Sequence, residues 1–328
     1  MTKMARVKLQ DVAKLAGVSV TTVSRVLNNR GYLSKQTINK VHQAMEELNY
    51  RPNAVARQLY KQRTDLVGLV FPTVNNPFFG QLEAELETRL YELGYRVVMG
   101  NSQNNPGKEE QYLQLLFNGQ IDGLIVGAHN EGIEAYHNTN LPIVSIERIV
   151  SKQIPVVAAD NYQGGCLATQ RLLDAGCQHI IHTNYPATLA TPNQERRRGY
   201  EELMTKYGRE KLTYEISFDL PDDQKAAVFD RLFAEHPECD GIFADNDTNA
   251  RLAINAAQKA GKRVPEDVKV IGYDGASSTR LLFPDLTTIQ QPIPEMAQAA
   301  VDLLQKRLAG QAVESVTLPV KLIPGLTG

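Results

Sequence analysis

Hydrophobic and polar positions follow two rhythms along this chain. Up to about residue 50, apolar residues recur three and four apart: Val12, Leu15 and Ala16, then Val23, Val26 and Leu27, then Ile38, Val41, Met45 and Leu48. That spacing predicts three short amphipathic helices around a minimal core. Gly17 and Val18 break the first stripe, and Ser19 stands where it can cap the second helix. Ser34 can cap the third, which Asn49, Tyr50, Arg51 and Pro52 bring to an end. Two short helices joined by a Gly-containing turn predict a helix-turn-helix, whose second helix can enter a major groove by its N-terminal end. Its outward face starts Ser19, Val20, Thr21 and carries Ser24 and Arg25.

The segment Asn53 to Tyr60, NAVARQLY, follows Pro52 with an Asn cap and with Val55 and Leu59 four apart. Eight residues make a marginal helix in water, because the nucleus is repaid by too few hydrogen bonds. Such a helix orders when something holds it, and the flanking Arg57, Lys61 and Arg63 suggest phosphate. A plain interdomain linker would show the same spacing.

From Leu66 onward the rhythm changes. Short apolar runs (LVGLVFP, YRVVMGN, GLIVGA, PIVSIE, VVAAD, then HIIHTN, YEISF, GIFADN, VKVIGYDG and LTTIQQP) alternate with amphipathic helical stretches. Nearly continuous apolar strands alternating with helices predict α/β architecture with parallel sheets covered on both faces. Some 260 residues suit two lobes better than one sheet. The expected organisation is a helix-turn-helix domain over 1–52, a hinge helix or linker over 53–63, and a two-lobed core over 64–328. Lobe 1 takes about 64–161 and 292–322, and lobe 2 about 162–291 with the C-terminal tail.

Charge sharpens the division. The net charge of the whole chain is only −2, but residues 1–63 hold twelve Lys and Arg against three Asp and Glu, a net +9 that leaves −11 for the rest. A basic head on an acidic body is the footprint of a small polyanion-binding domain attached to a body with another task. Cys166, Cys177 and Cys239 are odd in number and show neither CxxC pairing nor His partners at metal spacing, so neither a disulfide framework nor a structural zinc is expected. No run of about 18 apolar residues is present, and MTKMARVKLQ lacks an apolar leader core, so a cytoplasmic protein without membrane contact is expected.

In open parallel sheets ligands bind at the carboxyl ends of strands. There the body places Asn75, Asn76, Pro77, Phe78 and Phe79, then His129 and Asn130, Glu147 and Arg148, and Asp160, Asn161 and Tyr162. The second half adds Asp245, Asn246 and Asp247, then Tyr273 and Asp274. Amide, carboxylate and guanidinium groups between aromatic walls suit the many hydroxyls of a sugar. Each alone has a plainer explanation, Asn76 and Asp160 as helix caps and Phe78 and Phe79 as core. Against an enzyme, no phosphate-binding glycine loop, nucleophile elbow or HExxH pair is present. Asp245 and Asp247 could mimic a carboxylate pair, but nothing beside them supplies a nucleophile or a metal set. No catalytic residue, metal or cofactor is expected.

The run LQDVAKLAGVSVTTVSRVLNN, followed by KVHQAMEELNYRPNAVARQL, resembles the DNA-binding head and hinge of the LacI/GalR transcription regulators. The resemblance implies that Val20, Thr21 and Arg25 read bases, with Ser19, Thr22 and Ser24 near phosphates. It also implies that the hinge helix, capped by Asn53, lies in the minor groove at the centre of a pseudo-palindromic double-stranded operator. There Leu59 wedges between base pairs and Ala56 lets the backbone approach. The body, through VNNPFF, AADNYQGGCLAT, ERRRGYEEL, FADND, VPEDVKVIGYDG, LTTIQQP and LPVKLI, resembles that family's core and the periplasmic sugar-binding proteins. This implies a small-molecule sugar effector held by Asn76, Phe78, Phe79, Glu147, Arg196, Asn246, Asp274 and Gln291. It further implies a homodimer in which the helix from Pro77 to about Leu93 takes part. Glu147 stands where several sugar-binding relatives have Asp, and Phe218 is the candidate for the aromatic wall. Within the family the wording is most similar to sucrose-operon repressors, released from the operator by a sugar. The alternative within the class is a regulator whose effector, a purine or a phosphorylated carrier protein, promotes operator binding; Arg89 and Arg96 mark where such a carrier could dock.

Overall fold

The computed structural model describes residues 7–28, 30–51, 63–103, 105–128, 130, 132–137, 141–189 and 191–328. The chain forms two compact units, one up to Thr64 and one from Asp65 onward.

In the first unit, helix α1 (Leu9–Ala16) ends at Gly17, whose φ of +65° turns the chain toward α2 (Val20–Leu27), and α3 (Lys35–Glu47) follows. Ser19 caps α2 by accepting from the Thr22 N–H, and Ser34 caps α3 by accepting from the Thr37 N–H, both at 3.1 Å. Val12, Ala13, Ala16, Val23, Val26, Val41 and Ala44 form the core. One position departs from the sequence pattern. Leu15 is 45% exposed, because the buried stripe of this short helix centres between Val12, Ala13 and Ala16 and leaves position 15 on its flank.

The second unit holds two six-stranded sheets. Lobe 1 is built from β1 (Leu66–Phe71), α4 (Pro77–Glu92), β2 (Arg96–Asn101), α5 (Pro106–Phe117), β3 (Gly123–Val126), β4 (Ile143–Ile146) and β5 (Val156–Ala159). Lobe 2 takes α6 (Asn161–Asp174), β6 (Ile180–Asn184), α7 (Gln194–Lys206), β7 (Leu212–Glu215), α8 (Asp222–Glu235), β8 (Gly241–Phe243), α9 (Asp247–Lys259), β9 (Lys269–Asp274), α10 (Ser277–Leu282) and β10 (Thr287–Gln290). The chain then returns to lobe 1 through α11 (Ile293–Leu308) and β11 (Val316–Leu318), and ends in lobe 2 with β12 (Lys321–Ile323).

The strand orders are β11-β5-β4-β3-β1-β2 and β12-β10-β9-β8-β6-β7. All pairings are parallel except that of β12 with β10. The central parallel strands β1, β3 and β4 are almost wholly buried, mostly Val, Ile, Leu and Phe, as sheets covered on both faces require, while the edge strands β2, β7 and β11 are partly exposed. Two details differ from the pattern expected of the sequence. The YEISF run becomes strand only through Glu215, since its pairing with β6 ends there and Ile216 to Phe218 turn toward the cleft between the lobes. LPVKLI divides, with Leu318 closing β11 in one sheet and Lys321–Ile323 forming β12 in the other.

Candidate functional sites: the exposed face of α2 and the cleft of the core

On α2 the inward positions are Val23 and Val26, which leaves Ser19, Val20, Thr21 and Arg25 exposed and Thr22 and Ser24 half-buried. Val20, an apolar side chain, is 41% exposed at the first helical position. The Ser19 and Thr22 hydroxyls pair at 2.9 Å. Asn28 donates its amide to the Ser24 carbonyl at 2.8 Å and stiffens the end of the helix. Asn53, Ala56 and Leu59, together with His129 of the body, lie outside the described residues.

In the core, the ends of β4, β8 and β9 bring charged side chains together. Glu147 and Asp274 terminate β4 and β9 with φ of +52° and +97°, conformations uncommon for residues with a β-carbon. Such strain concentrates at working sites. Glu147 is buried; one carboxylate oxygen accepts from the Ala159 N–H at 2.5 Å and the other from the Asn161 amide at 2.8 Å. Asn161 returns its carbonyl oxygen to Arg196 Nε at 2.7 Å, and Arg196 Nη1 donates to the Asp245 carbonyl, also at 2.7 Å. The guanidinium lies 3.5 Å from the centroid of Tyr273, a cation–π contact inside a desolvated pocket. Asp274 accepts from the Gln291 amide at 2.7 Å, while the Gln291 carbonyl oxygen, buried, has no partner.

Burial raises the pKa of Glu147 and raises that of Asp274 well above its ordinary value, with the Arg196 charge opposing it in both. Two carboxylates, one guanidinium and an unpaired amide carbonyl are a set of groups that hydroxyls can satisfy from both sides.

Beside this cluster opens a cavity of about 170 Å³ lined by Thr73, Asn75, Asn76, Tyr185, Phe218 and Asn246. Asn76 caps α4, its side-chain oxygen accepting from the Phe78 and Phe79 N–H groups at 2.9 and 3.3 Å. Asn246 caps α9 in the same way and donates its amide to Asp245 at 2.8 Å. Both caps also line the cavity. Phe78 and Phe79 are core residues, and Phe79 meets Phe218 edge-on at 6.0 Å. Phe218 in turn meets Tyr185 and lies 5.7 Å from Lys225 Nζ.

Other strand-end residues go elsewhere. Arg148 turns away from Glu147 into lobe 1, where with Asn130 and Tyr136 it surrounds the fully buried Glu109. Tyr162 donates to Glu202 on α7 at 2.6 Å. Asp160 caps α6. Asp245 and Asp247 are occupied as braces: Asp245 accepts from Thr183 and Asn249, and Asp247 from Thr279, Thr288 and the Gly275 N–H. Sequence reasoning missed Tyr185, Lys225 and Glu109, and it named Asn161 without seeing that it joins Glu147 to Arg196.

Known proteins carry the same organisation. Residues 8–53 match the family of bacterial regulatory proteins termed lacI, and residues 169–327 match the periplasmic binding protein-like domain. A sucrose operon repressor of Pediococcus pentosaceus is 45% identical over 98% of this chain and 99% of its own. A ribose operon repressor of Halalkalibacterium halodurans is 39% identical over 96% of this chain and 95% of its own. Among solved structures, the lac repressor dimer bound to operator and an anti-inducer superposes with a TM-score of 0.86 at 30% identity, covering 98% of this chain and 99% of that one.

Proposed function

The chain belongs to the lacI family of bacterial regulatory proteins, DNA-binding repressors, and from that premise we propose that it controls a carbohydrate operon and is released from its operator by a sugar bound between the lobes of the core. Sucrose or one of its parts is the sugar we favour, because two of the relatives, from Pediococcus pentosaceus and Streptococcus mutans, are sucrose operon repressors at 45% and 40% identity.

In this reading Val20, Thr21 and Arg25 read base edges while Ser19, Thr22 and Ser24 lie near phosphates. The hinge over 53–63 orders in the minor groove, Asn53 as cap, Ala56 at the close approach and Leu59 as wedge. The working unit is a homodimer. Its support in lobe 2 is an apolar patch, Leu281 and Leu282 of α10 at 81% and 70% exposure and Leu326 at 69%, which a second copy would cover. Two heads held at half-site spacing bind tightly only when both hinges order. A sugar that favours one disposition of the lobes shifts that equilibrium, with a coupling typically about 1–3 kcal/mol.

The observation that carries the proposal is the meeting of Glu147, Asp274 and Gln291 from strand ends with Arg196 of α7, buried yet with an acceptor left unpaired. Calorimetric titration of sucrose, fructose and their phosphates into the protein tests it. One of these sugars should bind saturably to the wild type and at least tenfold more weakly to Arg196→Ala. Undiminished binding by Arg196→Ala would remove the residue from the site, and no binding of any sugar to the wild type would refute the sugar reading.

A further inference from the structure

The guanidinium of Arg25 is held by the turn that follows α2. Its Nε donates to the Arg30 carbonyl oxygen at 3.4 Å, and the Arg30 N–H donates to the Arg25 carbonyl at 3.0 Å. Gly31 completes the seat beside Nη2. A β-carbon at position 31 would stand 2.3 Å from Nη2 of Arg25 and 3.4 Å from its Cζ. Gly31 also has φ +66°, in the left-handed region.

These two demands differ in kind. Left-handed backbone alone is open to Asn or Asp at modest cost, but any β-carbon at 31 would collide with the Arg25 guanidinium where it is seated. The atom that a β-carbon would strike is the far end of a flexible side chain, so a larger residue at 31 would move the guanidinium and leave the helical core in place.

We propose that the Arg30–Gly31 turn is a seat that holds the Arg25 guanidinium for base reading, and that Gly31 is a positioning residue for sequence discrimination. The inference rests on the reading of Arg25 as a base contact. Bidentate pairing with a guanine edge needs two N–H groups in one plane and one direction. The seat engages Nε and packs Nη2 against Gly31, which fixes the plane and direction in which the guanidinium presents its remaining N–H groups. It also removes side-chain freedom before DNA arrives, which otherwise opposes binding.

The structure provides its own control. Gly17, at φ +65°, has the same backbone conformation, but a β-carbon there would meet nothing within 4 Å. Gly17→Ala therefore carries the strain without touching Arg25.

The test uses the full-length protein and an operator selected by it from random DNA, with competitors carrying single base-pair changes. Arg25→Ala first identifies the base pair whose discrimination it loses, expected to be roughly 5- to 100-fold. Gly31→Ala should lose most of that discrimination at the same base pair, keep the salt dependence of the wild type, and add nothing in the Arg25→Ala background. Gly17→Ala should melt about as Gly31→Ala does and keep discrimination. Wild-type discrimination in Gly31→Ala, or an equal further loss in the Arg25→Ala background, would overturn the proposal while leaving Arg25 as a reader. No loss in Arg25→Ala itself would overturn the reading of Arg25, and the seat with it.

Discussion

His182 and Glu83 show how single buried groups set the pH response of this protein. His182 on β6 is fully buried, stacked at 4.4 Å on Phe243, with Nδ1 against the Phe243 carbonyl and Nε2 without a partner. Burial lowers its pKa from the usual 6.5 to about 3. The unfolded chain takes up a proton near pH 6.5 and the folded one does not, so stability is lost as the pH falls below 6.5, at about 1.4 kcal/mol per pH unit from this group. Urea unfolding of His182→Gln should show a stability slope between pH 6 and 4 shallower by that amount; an unchanged slope would mean that His182 charges in the folded state.

Glu83 on α4 acts in the opposite sense. Its carboxyl is buried with neither oxygen partnered, and burial raises its pKa to about 7. Here the folded state holds the proton that the unfolded chain has released, so stability falls as the pH rises from about 4.5 to 7. Glu83→Gln should be more stable than the wild type at pH 8 and equal to it near pH 4. Equal stability at pH 8 would place a counter-charge beside Glu83.

At the scale of elements, the site depends on how closely α6 packs on α7. Gly165 makes that approach possible, since a β-carbon there would fall 2.2 Å from the Arg196 carbonyl oxygen; one on Gly164 would strike the Tyr273 hydroxyl of β9 at 2.4 Å. Gly199 of α7 faces the Tyr162 carbonyl with the same intolerance. Gly165→Ala should therefore destabilise the core by roughly 1–3 kcal/mol and displace Arg196. Thermal melting and sugar titration read the two effects, and a variant with full sugar affinity would show that Arg196 reaches its position independently of α6.

This is also the scale at which the sequence was most and least legible. Caps and strand ends are local, so Ser19, Ser34, Asn76 and Asp160 could be read as starts of helices, and the strand-end rule pointed to Glu147, Asn246 and Asp274. Where a side chain turns is decided by partners far along the chain. Arg148 follows Glu109, 39 residues earlier, and Asn161 reaches Arg196, 35 residues later. Tyr185 enters the cavity from the loop after β6 and Lys225 from the first turn of α8, where the apolar pattern says nothing of direction. Leu15 failed for a simpler reason, since an eight-residue helix offers too few turns to define its buried face.

At the scale of the whole molecule, the sequence separates a basic head from an acidic two-lobed body, and the same division appears as two compact units. Three passages of the chain between the two sheets join the lobes, at β5 to α6, β10 to α11 and β11 to β12. Multiple crossings permit the lobes to adjust as bodies around a ligand, the kind of hinge motion by which two-lobed proteins report occupancy. Induction requires that occupancy of the cleft reach the DNA. The most direct measurement is binding of the full-length protein to the palindromic DNA upstream of its own operon, titrated with sucrose, fructose and their phosphates at one fixed salt concentration. One of these sugars should lower operator affinity at least fivefold in the wild type, and Asp274→Ala should bind the operator as tightly but not be released. Tight binding that none of the sugars changes, or that one of them strengthens, would contradict induction.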